Sequence, residues 1–489
     1  MSGTMPAGSP LRSSPPPGRG VFCNRTLNLR AIRAVGFDMD YTLVHYHVDQ
    51  WERRAYAYLQ QKLLELGWPV DDLEFPAGFA MRGLVIDTEL GNLVKADRFG
   101  YVKRAGHGTR RLGFDEQRQA YARTQVDLAE RRWVFLNTFF SLSEASMYAQ
   151  LVDRLDHGRF GKRVLGYADL WDGVRDALDS THAEGRLKAE IVQAPEGYVD
   201  LDPDLAPALL DLRDAGKRLL LITNSEWPYT KAMMSFALDR FLPRGTTWQS
   251  LFDLVIVSAR KPEFFSARMP LFEVVIDDGL LRPCVAGPTG PGAYLGGHAA
   301  LVEQYLGLSG SEILYIGDHL YTDVRISKDV RRWRTGLIVR ELEEELAAVA
   351  TVREAQERLD TLMAEKARLE FSQAHLRLKV QRVGRTAAGE PRERVGSLES
   401  QIGRLRVRTE RLDEEIGPIA QAVGSIFNDT WGPLMSAGAD RSHLARQLEA
   451  SADIYTSRVS NLLFQTPFAY LRAPRGRMPH DIALERGDD

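Results

Sequence analysis

The 489-residue chain has only two cysteines, Cys23 and Cys284, too few for a disulfide framework or a cysteine-rich zinc centre. It has no apolar run approaching the length of a bilayer span. Nor does its N-terminus carry the apolar stretch of a signal peptide. A charge surplus is missing too: 63 Lys and Arg stand against 66 Asp and Glu, a net charge of −3. That balance argues against nucleic acid or an anionic membrane as the main partner. What is there is ordinary globular material, 44% hydrophobic and 26% charged, long enough for several domains. Residues 1–30, which open on Pro, Gly and Ser, are expected to form a disordered tail on a cytoplasmic protein.

Short apolar runs recur along the chain at Ala31–Phe37, Arg218–Ile222, Leu254–Val257, Ile313–Ile316 and Thr335–Val339. Each has the length and composition of a strand buried on both faces. Helical patterns such as Leu205–Ala215 and Ala299–Leu308 intervene. Alternating strands and helices predict an α/β fold with a doubly wound parallel sheet. The core is expected at 31–43 and 198–340. Far more chain separates Asp38 from Thr223 than one crossover helix needs. Residues 44–197 are therefore expected to be an inserted α+β domain without repeats.

Residues 341–416 are almost all helix formers, interrupted at 385–391. Val395, Leu398, Ile402, Leu405, Thr409, Leu412 and Ile416 alternate three- and four-residue spacing, a heptad seam. Two helices and a turn predict a hairpin, either an intramolecular strut or a subunit interface, with a slight lean to the interface. Residues 417–489 are expected to be a helical segment packed on the core or on a partner.

The chemistry lies after the strands. In open α/β sheets ligands bind beyond the carboxyl ends of the strands. Those ends carry Asp38 and Asp40, then Thr223-Asn224-Ser225, Arg260-Lys261, and Gly317-Asp318 with Asp323. Carboxylates, a lysine and hydroxyls on one rim can hold Mg²⁺ and a phosphate. One carboxylate can attack phosphorus while a second, two residues on, serves as acid and then base. Arg260 reads as a partner in a structural ion pair. His45, His47 and His107 have no useful metal spacing, and the aromatics of Trp51–Tyr58 read as packing.

This order of elements resembles the haloacid dehalogenase superfamily: DxDxT at Asp38–Thr42, then Thr223, Lys261, and an acidic stretch from Gly317 to Asp323. Within it the chain is similar to the cytosolic purine 5′-nucleotidases of the IMP/GMP-preferring type. The likeness rests on GFDMDYTLV, RGLVIDTELGNLVKAD, FLNTFF, VRDALDSTH, ITNSEWPYT, ARKPEFF, YIGDHLYTDV and SADIYTSRVSNLLFQTPFAYLRA. It covers almost the whole chain after about residue 30 and is weakest in the hairpin. The resemblance implies Asp38 as nucleophile and Asp40 as acid/base, whose backbone carbonyl also touches the metal. It places Mg²⁺ on Asp38 and Asp318, with Asp323 orienting its waters, and the phosphate on Thr223, Asn224, Ser225 and Lys261. Phe140, Arg175, Asp179, His182 and Lys188 would hold the purine and ribose.

Taken alone, Arg175 and Asp179 read as a solvated ion pair one helical turn apart, sharing with His182 a different face from that of Leu170, Val174, Leu178 and Thr181. Ala183 stands where the family often has a tyrosine, which leaves the base preference open. The activity implied is Mg²⁺-dependent hydrolysis of purine nucleoside 5′-monophosphates, with phosphoryl transfer to another nucleoside as a variant, in a homo-oligomer (dimer or tetramer). The alternatives are a phosphatase for another phosphomonoester and a silent nucleotide-binding scaffold.

Overall fold

The short run Ala34–Phe37 is buried at every position, as a strand covered on both faces must be. In the computed structural model, which describes residues 15–16, 18–161, 165–275, 280–386 and 392–476, this strand sits inside a ten-stranded sheet. Arg218–Ile222 and Ile313–Gly317 flank it, both parallel, with Arg218 and Ile313 each opposite Ala34. Leu254–Val257 and Gly292–Gly296 extend the sheet in parallel on one side, Arg334–Ile338 and Ile454–Thr456 on the other. The chain thus builds outward from Ala34–Phe37 in one direction, then returns at Ile313–Gly317 to build in the other. That reversal opens a crevice beyond the carboxyl ends of the two strands. Antiparallel strands finish both edges: Val21–Cys23 on Ile454–Thr456, and Leu271–Val274 with Leu281–Pro283 beyond Gly292–Gly296.

The α/β expectation holds, and the five apolar runs all become strands of this sheet. Two differences concern the chain ends. The expected tail ends sooner, because Val21–Cys23 pairs with Ile454–Thr456 and Phe22 stacks on Tyr455 at 5.1 Å. Residues 1–14 and 17 of that tail lie outside the described residues. The C-terminal segment is not only helical: after the helix His443–Ser451 it supplies Ile454–Thr456 to the main sheet. Buried Asp453 anchors that strand, accepting from Lys328 at 2.8 Å and Arg334 at 2.7 Å.

Between Ala34–Phe37 and Arg218–Ile222 the chain forms a second sheet of five antiparallel strands, ordered Arg110–Arg111, Val102–His107, Asn92–Ala96, Val85–Asp87, Trp133–Phe135. The helices Val48–Glu65, Leu142–Asp156 and Tyr167–Glu184 pack on one another in this segment. Leu170, Val174, Leu178 and Thr181 are buried, as the helical face read from their spacing requires. Gly185, at φ +67, follows the last residue of Tyr167–Glu184, in the left-handed conformation a side chain disfavours. A two-stranded ribbon, His45–Tyr46 against Val199–Asp200, marks where the chain leaves the core and comes back.

The chain divides into two compact units, Met1–Glu343 with Leu434–Asp489, and Glu344–Pro433. In the second, the helices Arg353–Thr386 and Arg392–Gly424 pack on each other around Leu362, Leu412 and Ile416. Ion pairs Arg358–Glu415 and Arg408–Glu365, each 2.5 Å, fix an antiparallel register. The heptad seam therefore closes on the hairpin's own first arm and does not of itself require a partner. Residues 387–391 of the expected turn lie outside the described residues.

Candidate active site

The carboxyl end of Ala34–Phe37 delivers Asp38, and that of Ile313–Gly317 delivers Asp318, side by side because the two strands are parallel and paired. Asp323 returns to the same point from the turn that follows. Oxygens of Asp38, Asp318 and Asp323 lie within 4.8 Å of one another, all three residues buried. A β-carbon on Gly317 would sit 2.5 Å from Asp323, so only glycine lets that carboxylate approach. Lys261 Nζ reaches Asp38 at 2.8 Å and Asp323 at 2.7 Å, with Tyr315 Oη at 3.2 Å.

One lysine for three buried carboxylates leaves a surplus of negative charge. Burial pushes the Asp38 carboxyl up to about 7 despite Lys261. Burial, then Asp323 and Asp38, hold Asp318 well above the usual carboxylate range. Burial alone would lower the Lys261 ammonium, but Asp323 and Asp38 outweigh it and keep it charged. Such carboxyls ionise together only if a cation joins them. The donor set is all hard oxygen, which fits Mg²⁺.

Asp40 points elsewhere. Its Oδ1 accepts from Tyr46 Oη at 2.5 Å and its Oδ2 from Ser225 Oγ at 2.6 Å. Its carboxylate is therefore not part of the three-carboxylate cluster. Between Asp40 and Thr42, Tyr41 holds φ +53, a conformation rare for a bulky residue. Four rings enclose it, those of Tyr46, Trp51, Phe139 and Phe140.

Thr223 is buried and its Oγ1 accepts from Ser225 N at 3.1 Å. The Asn224 side-chain amide is engaged by the backbone of Lys261, accepting from its N–H at 2.7 Å and donating to its carbonyl at 3.2 Å. Asn224 thus sets the loop that carries Lys261. Arg260, expected in an ion pair, is exposed at φ +56 and makes none with a described residue, because the turn aims it at solvent.

A cavity of about 330 Å³ adjoins this rim, lined in part by Asp40, Trp51, Phe140, Lys188, Asn224 and Ser225. Phe140 meets Tyr41 and Trp51 edge-on at 4.9 and 5.4 Å. Lys188 donates to Ser225 Oγ at 3.1 Å and lies 5.0 Å over the ring of Tyr229. Of the residues expected to hold base and ribose, Phe140 and Lys188 reach the cavity. Arg175 and Asp179 are exposed, and Arg175 pairs with Asp172 at 3.3 Å rather than with Asp179. The side chains of His182 and Ala183 lie outside the described residues.

Other residues at the site were not singled out by the sequence, although Arg82 and Thr138 lie in stretches that carry the family resemblance. Trp51, read as packing, both packs and lines the cavity. Thr138 Oγ1 donates to Asp318 at 3.4 Å. Buried Arg82 donates to the Asp318 carbonyl at 3.2 Å, pairs with Glu341 at 2.5 Å, and covers the ring of Phe139 at 4.8 Å. Glu52 accepts from Ser143 N at 2.7 Å at the start of Leu142–Asp156, and burial lifts its carboxyl to about 8. These contacts join residues distant in sequence, which periodicity cannot show.

The family model described as the 5′ nucleotidase family matches residues 21–483. A 5′-nucleotidase domain-containing protein of Dictyostelium discoideum is 29% identical over 478 residues, covering 95% of this chain and 75% of that protein. Among solved structures, a β-phosphoglucomutase from Pyrococcus sp. strain ST 04 matches at 8% identity and TM-score 0.29, covering 63% of this chain and 87% of that one. A haloacid dehalogenase-like hydrolase from Xanthomonas campestris matches at 14% and TM-score 0.25, covering 67% and 98%. Neither superposition is close enough to bear on substrate. With the family model spanning nearly the whole chain and an acidic, lysine-bridged rim in place, the chain belongs to the 5′-nucleotidase family and is a phosphomonoester hydrolase.

Proposed function

We propose that the protein hydrolyses purine nucleoside 5′-monophosphates, IMP and GMP foremost, through an aspartyl-phosphate on Asp38. The observation that supports this most is the buried cluster of Asp38, Asp318, Asp323 and Lys261 beside a cavity walled by Phe140 and Trp51. A carboxylate oxygen of Asp38 attacks phosphorus, and the bond from phosphorus to the 5′ oxygen breaks. That oxygen takes the proton of the Asp40 carboxyl. Water then attacks the phosphoryl group and gives a proton back to Asp40. The bond to Asp38 breaks, and inorganic phosphate leaves. Lys261, Thr223 and Ser225 would bind the transferring oxygens. Asp38, Asp318 and Asp323 would hold Mg²⁺, with the Asp40 backbone carbonyl as a further ligand. A bound Mg²⁺ would neutralise charge between phosphate and carboxylate.

In this reading residues 44–197 act as the specificity-bearing insert. Phe140 stacks on the base, and transfer to a second nucleoside replaces water in the last step. The exposure of Arg175 and Asp179 favours a second reading, another phosphomonoester as substrate. A scaffold without catalysis is disfavoured, since it would need neither the buried carboxylates nor Lys261. Phosphate release across nucleoside monophosphates, with and without Mg²⁺, tests the proposal. Turnover of IMP and GMP far above CMP, and only with the metal, is the expected result.

We also propose a cytoplasmic homo-oligomer. No helix of the described residues is long and apolar enough to cross a membrane. The hairpin leaves Phe371 67% and Met363 48% exposed, which supports self-association through its outer face. Light scattering at about 55 kDa would refute it.

A further inference from the structure

Both oxygens of Asp40 are occupied in a directed way. Ser225 Oγ donates to Oδ2 at 2.6 Å, and Lys188 Nζ donates in turn to Ser225 Oγ at 3.1 Å. Tyr46 Oη donates to Oδ1 at 2.5 Å and lies 3.0 Å from Tyr229 Oη. The single phenolic proton of Tyr46 is committed to Asp40, so Tyr229 must be the donor in the second contact. Lys188 over the Tyr229 ring at 5.0 Å closes the circuit.

The two arms differ in what substrate does to them. Ser225 and Lys188 line the cavity, and a phosphate entering it competes for the same hydroxyl and ammonium. Tyr46 is buried, and its strand is fixed by the pairing of Tyr46 with Val199 at the root of the inserted segment. We infer that Tyr46, supported by Tyr229, is a positioning residue that keeps hold of Oδ1 while substrate draws Ser225 away. Oδ2 is then free to carry the proton to the leaving oxygen. A hydrogen bond to a charged group is among the stronger ones in proteins, and a carboxyl so held gives up its proton along one direction.

The inference rests on Asp40 as general acid, and leaving-group dependence tests both separately. A 5′ alkoxide needs a proton to depart, whereas 4-nitrophenolate does not. Tyr46→Phe should lower kcat/KM for a purine monophosphate about 10- to 100-fold. For 4-nitrophenyl phosphate the same variant should lose less than about 3-fold. Tyr229→Phe should show the same selectivity with a smaller loss, and it decides the matter if Tyr46→Phe does not fold. Equal losses on both substrates, or no loss on either, would overturn the role of Tyr46. Asp40→Asn is the control: selective loss there, without it in Tyr46→Phe, refutes this inference alone. Absence of selectivity in Asp40→Asn refutes the reading of Asp40 itself.

Discussion

The rim of the main sheet and the helix Tyr167–Glu184 both carry charged residues expected to meet substrate, yet they are built differently. At the rim, Asp38, Asp318, Asp323 and Lys261 are buried and mutually engaged. Paired parallel strands fix their origins, so the geometry is set before any ligand arrives. On the helix, Arg175 and Asp179 stand in solvent, and Arg175 pairs with Asp172 at 3.3 Å. The contrast separates a rim organised before any ligand binds from a helix face organised by solvent. In the proposed reading selectivity would rest instead on Phe140, Trp51 and Lys188, which reach the cavity.

The largest effect that would sharpen this contrast is at Asp38, the proposed nucleophile. Asp38→Asn should lower kcat by about 10⁴-fold or more, since an amide oxygen is a poor nucleophile toward phosphorus. Melting curves would show the fold retained. Next comes Gly317→Ala. Its β-carbon would lie 2.5 Å from Asp323, and a displacement of about 1 Å costs on the order of 100-fold in turnover. A near-normal kcat there would break the claim that the rim is rigid.

The third effect concerns pH and metal. Burial lifts the Asp38 carboxyl to about 7 in the fold without metal, against about 3.9 in the unfolded chain. The folded state binds this proton more tightly, so its contribution is full below about pH 4 and is lost as pH rises to about 7. Metal-free protein should therefore lose melting temperature across that window. Mg²⁺ at a hundredfold excess over its Kd at pH 8 should stabilise the fold there by about 2–3 kcal/mol, and the same concentration should raise the melting temperature less at pH 5. An equal metal shift at both values would contradict the charge argument.

Smaller effects test the other region. Phe140→Ala should raise KM for IMP about 5- to 30-fold through lost stacking. Arg175→Ala should change it less than about 3-fold, as befits an exposed pair. Equal effects would mean that the helix closes on the substrate, and the contrast between the regions would fail. Smallest is Glu52→Gln. It keeps an acceptor for Ser143 N but removes a carboxyl lifted to about 8 by burial. The decline in melting temperature between about pH 4.5 and 8 should flatten in that variant.

Much of the rim was legible in the sequence because each of its residues follows an apolar run, and a parallel sheet turns such endings into one edge. The main strands were legible for the same reason. Gly292–Gly296 escaped notice because its Gly-rich GAYLG lacks a continuous apolar run, yet it pairs with Leu254–Val257. Ile454–Thr456 is three residues long and looked like part of a helical segment. Tyr46 sits on a two-residue strand, too short for any period, and its contact with Tyr229 spans 183 positions. The hairpin seam was visible, but a heptad does not say whether its partner is the neighbouring arm or another chain.

In the proposed mechanism Asp38 becomes transiently phosphorylated. Rapid acid quenching during turnover of phosphate-labelled IMP with Mg²⁺, followed by peptide mapping, tests it most directly. The expected result is hydroxylamine-sensitive label on the peptide that contains Asp38, with none in Asp38→Asn. Phosphate release at the normal rate with no labelled peptide, or with label on another residue, would contradict it.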